Sequence, residues 1–176
     1  MSLARFWSKF KLLHFSQPVG DRPLYRAIHG RVITSILEIN AGTCQRSERV
    51  VRVLREQGLG DGFRYAVIDP FEMGGGERLT LKGCHTLLGK LGAKPLPVPN
   101  TGNLAIALTR VAHTIGAIDL VIADCAVSEL EQPTVRAVLH KLLHADTLLV
   151  SKAEVSGPFA VLPVKQFVAE PIRRAA

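Results

Sequence analysis

Long apolar runs are absent from this 176-residue chain. None approaches the roughly 20 residues that a membrane-spanning helix needs, so no transmembrane segment is expected. Cysteine is scarce: three residues at unrelated spacing make no disulfide framework, and they suit a reducing cytoplasm. The start is basic, but Leu12-Leu13 is cut at once by His14 and no small-residue cleavage site follows, so no signal peptide is expected. The patterns G-x-S-x-G, H-E-x-x-H and the phosphate-binding P-loop are missing. G-x-G-x-x-G is missing too, which makes NAD the weaker nucleotide ligand. No zinc-finger spacing, aromatic RNA-binding motif or arginine-rich tract occurs.

Apolar residues make up 47% of the chain, an ordinary share for a globular protein, and the length allows a sizeable core. The charge of +7 is uneven: residues 1–60 hold ten Lys or Arg against four acids, whereas residues 61–150 hold eight against nine. The basic N-terminal third is either a solvated face or a surface for an anionic partner such as nucleic acid or lipid headgroups. Leu3, Phe6, Trp7, Phe10 and Leu13 recur at helical spacing, which predicts a short amphipathic helix. It would dock on its own domain or lie at a membrane surface. Residues 1–30 thus read as a helical segment leading into one α/β domain over residues 31–176. In that segment Asp21 and Pro23 suit the start of a second helix, ended by Gly30.

The chain is organised around Ile33 to Gln45. Its first half is apolar and β-branched, as a buried strand requires, and its second half is small and polar. Val50, Val51, Val53 and Leu54 then repeat at helical spacing up to Gly58. Strand, tight turn and helix open a nucleotide-binding α/β unit, in which a ligand meets the turn backbone and the free N–H groups at the helix start. Further strands are predicted at Phe63–Asp69, Lys94–Pro99, Ala117–Asp124 and Asp146–Val150, with helices over Leu79–Leu91, from Leu104, and over Glu131–His144. This alternation predicts a Rossmann-like, doubly wound, mostly parallel sheet. Three prolines suit the strand Lys94–Pro99 to a sheet edge.

Glu38-Ile-Asn-Ala-Gly-Thr-Cys44 resembles the first motif of class I S-adenosylmethionine-dependent methyltransferases, E-x-G-x-G-x-G. Glu38 and Gly42 match it, while Asn40 and Cys44 stand where the outer glycines belong. Asp69-Pro70, at the end of the second strand, resembles the family's ribose-binding acid and the turn after it. Ala117 to Asp124 resembles the fourth strand. The resemblance spans about Ile33 to Val150 and implies strand order 3-2-1-4-5, with a shortened C-terminal part. It also implies S-adenosylmethionine as cofactor, held by Glu38, Asn40, Ala41, Gly42, Asp69, Pro70 and Asn100. Asp124 would be the catalytic base or orient a substrate hydroxyl. Asp21, Arg22 and Tyr25 fall on a helix that often lies over the cofactor.

Structural readings stand beside these. Asp69 before Pro70 also starts a turn, and Asn100, Thr101 or Asn103 also caps a helix. Gly74-Gly-Gly76 is a lid or a plain linker. Cys44 and Cys125 could face each other at one sheet edge and bind zinc with His85 or His113, but no spacing supports this, and free cysteines usually serve as buried small apolar residues. In metal-dependent relatives a second carboxylate follows strand five; here Ser151-Lys152 stands there, so no metal is expected. The function expected is methyl transfer to an unidentified acceptor. The alternative is a non-catalytic methyltransferase-like scaffold that binds a protein, nucleic acid or an anionic surface.

Overall fold

Five apolar strands, each joined to the next through a helical layer, can satisfy their backbone groups only side by side in one sheet. The computed structural model, which describes residues 18–154 and 156–168, has that arrangement. β1 (Ser35–Ile39), β2 (Arg64–Asp69), β3 (Lys94–Pro99), β4 (Leu120–Ala126) and β5 (Leu148–Lys152) run parallel, and β6 (Phe159–Leu162) returns antiparallel to β5. The order is β3-β2-β1-β4-β5-β6. β1 lies between β2 and β4 with every residue buried, which its unbroken run of Ser, Ile, Leu and Glu does not forbid because Ser35 and Glu38 find partners.

Alternate residues of each strand feed two cores. One face packs against α1 (Arg22–Ile28), α2 (Gln45–Glu56) and α3 (Leu81–Lys90) through Ile36, Tyr65, Val67, Leu120 and Ile122. The other packs against α4 (Leu104–Thr114), the short α5 (Val127–Leu130) and α6 (Pro133–Leu142) through Leu37, Ile39, Ile68, Val121 and Leu149. Val50, Val51, Val53 and Leu54 of α2 are all buried, and each contributes about 1.5–3 kcal/mol by leaving water. Leu24, Tyr25 and Ile28 share that core, so α1 is one body with the sheet.

β3 lies at the sheet edge. The N–H groups of Lys94 and Asn100, at its two ends, donate to Phe63 and Asp69 of the β2 side. Even-numbered residues thus face β2, and Pro95, Pro97 and Pro99 turn their missing donors to the open edge. α3 and α4 begin at side-chain caps: Thr80 accepts from the Gly83 N–H and Asn103 from the Ile106 N–H.

Three expectations change. The helix expected over Glu131–His144 runs only over Pro133–Leu142: Gln132 before Pro133 is extended (ψ 133°), which parts it from the short α5, and the chain leaves the helix again at Leu143. The fifth strand lies two residues later than expected, after a turn in which the Thr147 N–H donates to His144, so Ser151 and Lys152 are inside it. Asp21 makes no cap bond; its buried carboxylate takes the Tyr25 hydroxyl and faces Arg46 and Arg49. The expected amphipathic helix at Leu3 to Leu13 lies outside the described residues. Among the described residues no helix is long and apolar enough to cross a membrane.

Candidate functional site

Parallel strands bring their carboxyl ends to one edge, where chain direction must reverse and backbone groups are left over. Asn40, Asp69 and Asn100 stand on this edge at the ends of β1, β2 and β3, and Asp124 stands there within the last residues of β4. The turn from β1 to α2 has left-handed φ at alternate residues: Asn40 at 59°, Gly42 at 62° and Cys44 at 58°. Only one of these is the glycine that such a backbone favours. Among the described residues the one other non-glycine with positive φ is Phe71, at 51°, just past Asp69. All three therefore flank the ends of β1 and β2. A Cβ added to Gly42 would meet nothing within 4 Å, so the space before the turn is open.

Side chains fix this turn. Asp69, fully buried, accepts the Gly42 N–H at 2.9 Å and the Phe71 N–H at 2.7 Å. The second bond closes a turn around Pro70. Arg78 Nη1 lies 3.0 and 2.9 Å from the two carboxylate oxygens. The Asn40 side-chain amide donates to the Asp124 carbonyl at 3.2 Å and ties β1 to β4. Asn100 accepts from the Gly102 N–H at 3.1 Å, while its own N–H donates to the Asp69 carbonyl. Ala41 is buried, and its carbonyl accepts the Cys44 N–H.

Glu38 is placed differently from the expectation. Its side chain is fully buried, and its carboxylate accepts from the Ser47 hydroxyl at 2.6 Å, the Tyr65 hydroxyl at 2.7 Å and Arg46 Nη1 at 3.3 Å. It therefore reaches the edge only through Arg46. That guanidinium spans three carboxylates: Nε lies 3.5 Å from Asp21, Nη1 bonds Glu38 and Nη2 bonds Asp124. Burial opposes its charge, but Glu38, Asp124 and Asp21 outweigh burial and push its pKa up. Lys152 Nζ takes the other Asp124 oxygen at 2.5 Å. Both cations stand over the Phe159 ring, at 4.8 Å for Arg46 and 5.2 Å for Lys152. A register shift between β4 and β5 at Ala123 to Ala126 carries Asp124 and aims it at this cluster.

The cysteines are the buried small apolar residues that free thiols usually are, and the alternative of Cys44 facing Cys125 does not hold. Cys44 points into the core on the α2 side, with its sulfur 3.7 Å from that of Cys84. Cys125 lies in the opposite core, across the sheet. All three are buried free thiols, and burial pushes Cys125 up to about 12. Among the described residues no three His, Cys, Asp or Glu side chains converge as metal ligands would. Because Cys44 points inward, its side chain leaves the outer surface of the turn clear.

Sequence reasoning missed Arg46, Ser47, Tyr65, Arg78 and Lys152, which hold the candidate carboxylates. Arg46 left one signal, since a cation in the first turn of a helix opposes the helix dipole and needs carboxylate partners. The edge thus has open space beside Gly42 and carboxylates already engaged by the chain's own donors. A ligand that needs Asp69 must replace Arg78, whereas the Cα side of Gly42 is open to 4 Å.

The chain matches no protein-family model and no curated relative. It resembles solved structures in fold. One is a Staphylococcus aureus protein provisionally assigned as a caffeoyl-CoA O-methyltransferase, with TM-score 0.50, 11% identity, and coverage of 86% of this chain and 66% of that one. Two others score 0.43 and carry no argument: the mycinamycin pathway methyltransferase MycE, solved with magnesium, S-adenosylhomocysteine and mycinamycin VI (19% identity, 86% and 34% covered), and the plantazolicin methyltransferase BpumL, solved with S-adenosylhomocysteine (16% identity, 85% and 48% covered). The chain spans between a third and two thirds of the length of these proteins. The described chain has the Rossmann-like architecture of class I methyltransferases, with an antiparallel strand beyond β5.

Proposed function

We propose that the protein binds S-adenosylmethionine across the turn from Asn40 to Cys44 and transfers its methyl group to an acceptor not yet identified. One observation carries this reading. The three non-glycine residues held in left-handed backbone, Asn40, Cys44 and Phe71, sit at the ends of β1 and β2, before the open face of Gly42. Backbone strain of this kind costs about 1–3 kcal/mol per residue and gathers where a ligand is held. The fold likeness to the S. aureus protein supports the same reading.

In this reading the backbone of Asn40, Ala41 and Gly42 carries the amino acid end of the cofactor, and Glu38 acts on it through Arg46. Asp69, positioned by the Pro70 turn, takes the ribose hydroxyls, and Asn100 approaches the adenine. Asp124 orients the acceptor. The cofactor supplies an electrophilic methyl group, so the protein's part is mainly alignment of donor and acceptor. Titration calorimetry of the full chain with S-adenosylhomocysteine tests the reading. Saturable heat supports it, and none at millimolar ligand counts against it.

A second reading, a methyltransferase-like scaffold without catalysis, is favoured by the ion pairs of Asp69 with Arg78 and of Arg46 with Glu38 and Asp124. It expects no ligand heat, and loss of stability alone when Asp69 is replaced.

A further inference from the structure

Asp69 has two oxygens and four contacts to donor groups. Two come from backbone N–H groups of Gly42 and Phe71, which the turn cannot withdraw. The other two come from a single side-chain nitrogen of Arg78, 3.0 and 2.9 Å away. A carboxylate offers about four lone-pair directions, so these contacts leave little for a diol. Of the donors, only Arg78 can move by side-chain rotation. Its side chain is 28% exposed, against 1% for Asp69.

The chain makes a seat for Arg78. A Cβ at Gly74 would come within 3.0 Å of the Arg78 Nε and 2.7 Å of the Pro70 Cβ, so only a residue without a side chain fits there. The backbone on both sides is pinned. The Leu79 N–H donates to the Gly42 carbonyl at 3.1 Å, and Glu72 accepts the Leu81 N–H at 2.9 Å. Residues 72–77 between these points are exposed. The Arg78 side chain can thus leave Asp69 without unmaking the turn that Asp69 holds.

We propose that Arg78 is an internal competitor for the nucleoside diol: it occupies the outward lone pairs of Asp69, and a ribose binds by displacing it. Arg78 thereby sets the affinity of the site. This rests on the cofactor reading above, and its test separates the two. Bonds from a charged donor to a carboxylate correspond to about a tenfold or larger change in binding once they need not be broken.

The experiment is calorimetry with S-adenosylhomocysteine on full-length wild type, Arg78→Ala and Arg78→Met, each with a thermal melt to confirm folding. Arg78→Met keeps the stem that packs on Gly74 and serves if Arg78→Ala does not fold. Binding about tenfold tighter in a folded variant, or binding seen only in the variant, supports displacement. Wild-type binding that is unchanged or weaker in both variants overturns it and leaves the cofactor reading intact. Absence of binding in all folded proteins overturns the cofactor reading, and this inference with it.

Discussion

The carboxylate of Asp69 accepts the amide N–H of Gly42 at 2.9 Å, so the end of β2 holds the turn that leaves β1. The same carboxylate also closes the turn through the Phe71 N–H. Asp69→Ala leaves two backbone donors without this acceptor and Arg78 without its partner. Each unmet buried donor costs about 1–3 kcal/mol. The expected loss is about 3 kcal/mol, read from the urea midpoint at constant slope.

Cys44 gives a test of the turn's backbone. At φ 58° a side chain is strained, yet this one is buried against Cys84. Cys44→Ala keeps the strain and loses the sulfur contact, whereas Cys44→Gly loses the contact and relieves the strain. Glycine is therefore expected to be the more stable of the two by about 1 kcal/mol, the reverse of the usual order in a helix. Chemical denaturation of the pair checks this.

The chain has two tyrosines. Burial, and then the Asp21 charge, raise Tyr25; burial, and then the Glu38 charge, raise Tyr65. Both folded values lie above the unfolded value of about 10. The stability they contribute is complete below that value and is lost as the pH rises beyond it. The tyrosinate absorbance band should therefore stay absent at pH values where free tyrosine ionises, then appear together with unfolding. A band growing at the ordinary pH with the fold intact would show that the burial is misassigned.

Arg46 is 13% exposed and faces three acids, so its loss leaves buried charge without a partner. Arg46→Met should cost about 3–5 kcal/mol. Adding Glu38→Gln should recover part of that, since the remaining amide needs no counter-charge. A double-mutant cycle in thermal or urea unfolding measures the coupling.

The sheet was legible in the sequence because each strand is short, apolar and bounded by Gly, Pro or Asp. Even the edge place of β3 followed from Pro95, Pro97 and Pro99, which cannot donate to a neighbour. The ends of β1 and β2 were legible for the same reason, and with them Asn40 and Asp69, whereas β4 runs two residues past Asp124, its expected end, to Ala126. Facing was not legible. A strand's side chains alternate, and Cys125 lies in the register shift of β4, so its face could not be counted from Asp119. Cys44 pairs with Cys84 from a helix that no strand pattern locates. Ion pairs over 9 to 78 residues of sequence, such as Asp69 with Arg78 and Arg46 with Asp124, arise only when the layers close. Pro133 marked the first turn of α6 in the sequence, as it does in the structure, while that helix is two residues shorter at each end than expected.

In the proposed complex a nucleoside lies on the outer face of Gly42 and reaches Asp69. Backbone amide resonances during titration with S-adenosylhomocysteine test it most directly. Saturable shifts are expected at the amides of Gly42, Phe71 and Asn100, with the amides of β6 unmoved. Resonances at these three positions that stay still at millimolar ligand, in the wild type and in Arg78→Ala alike, would contradict it.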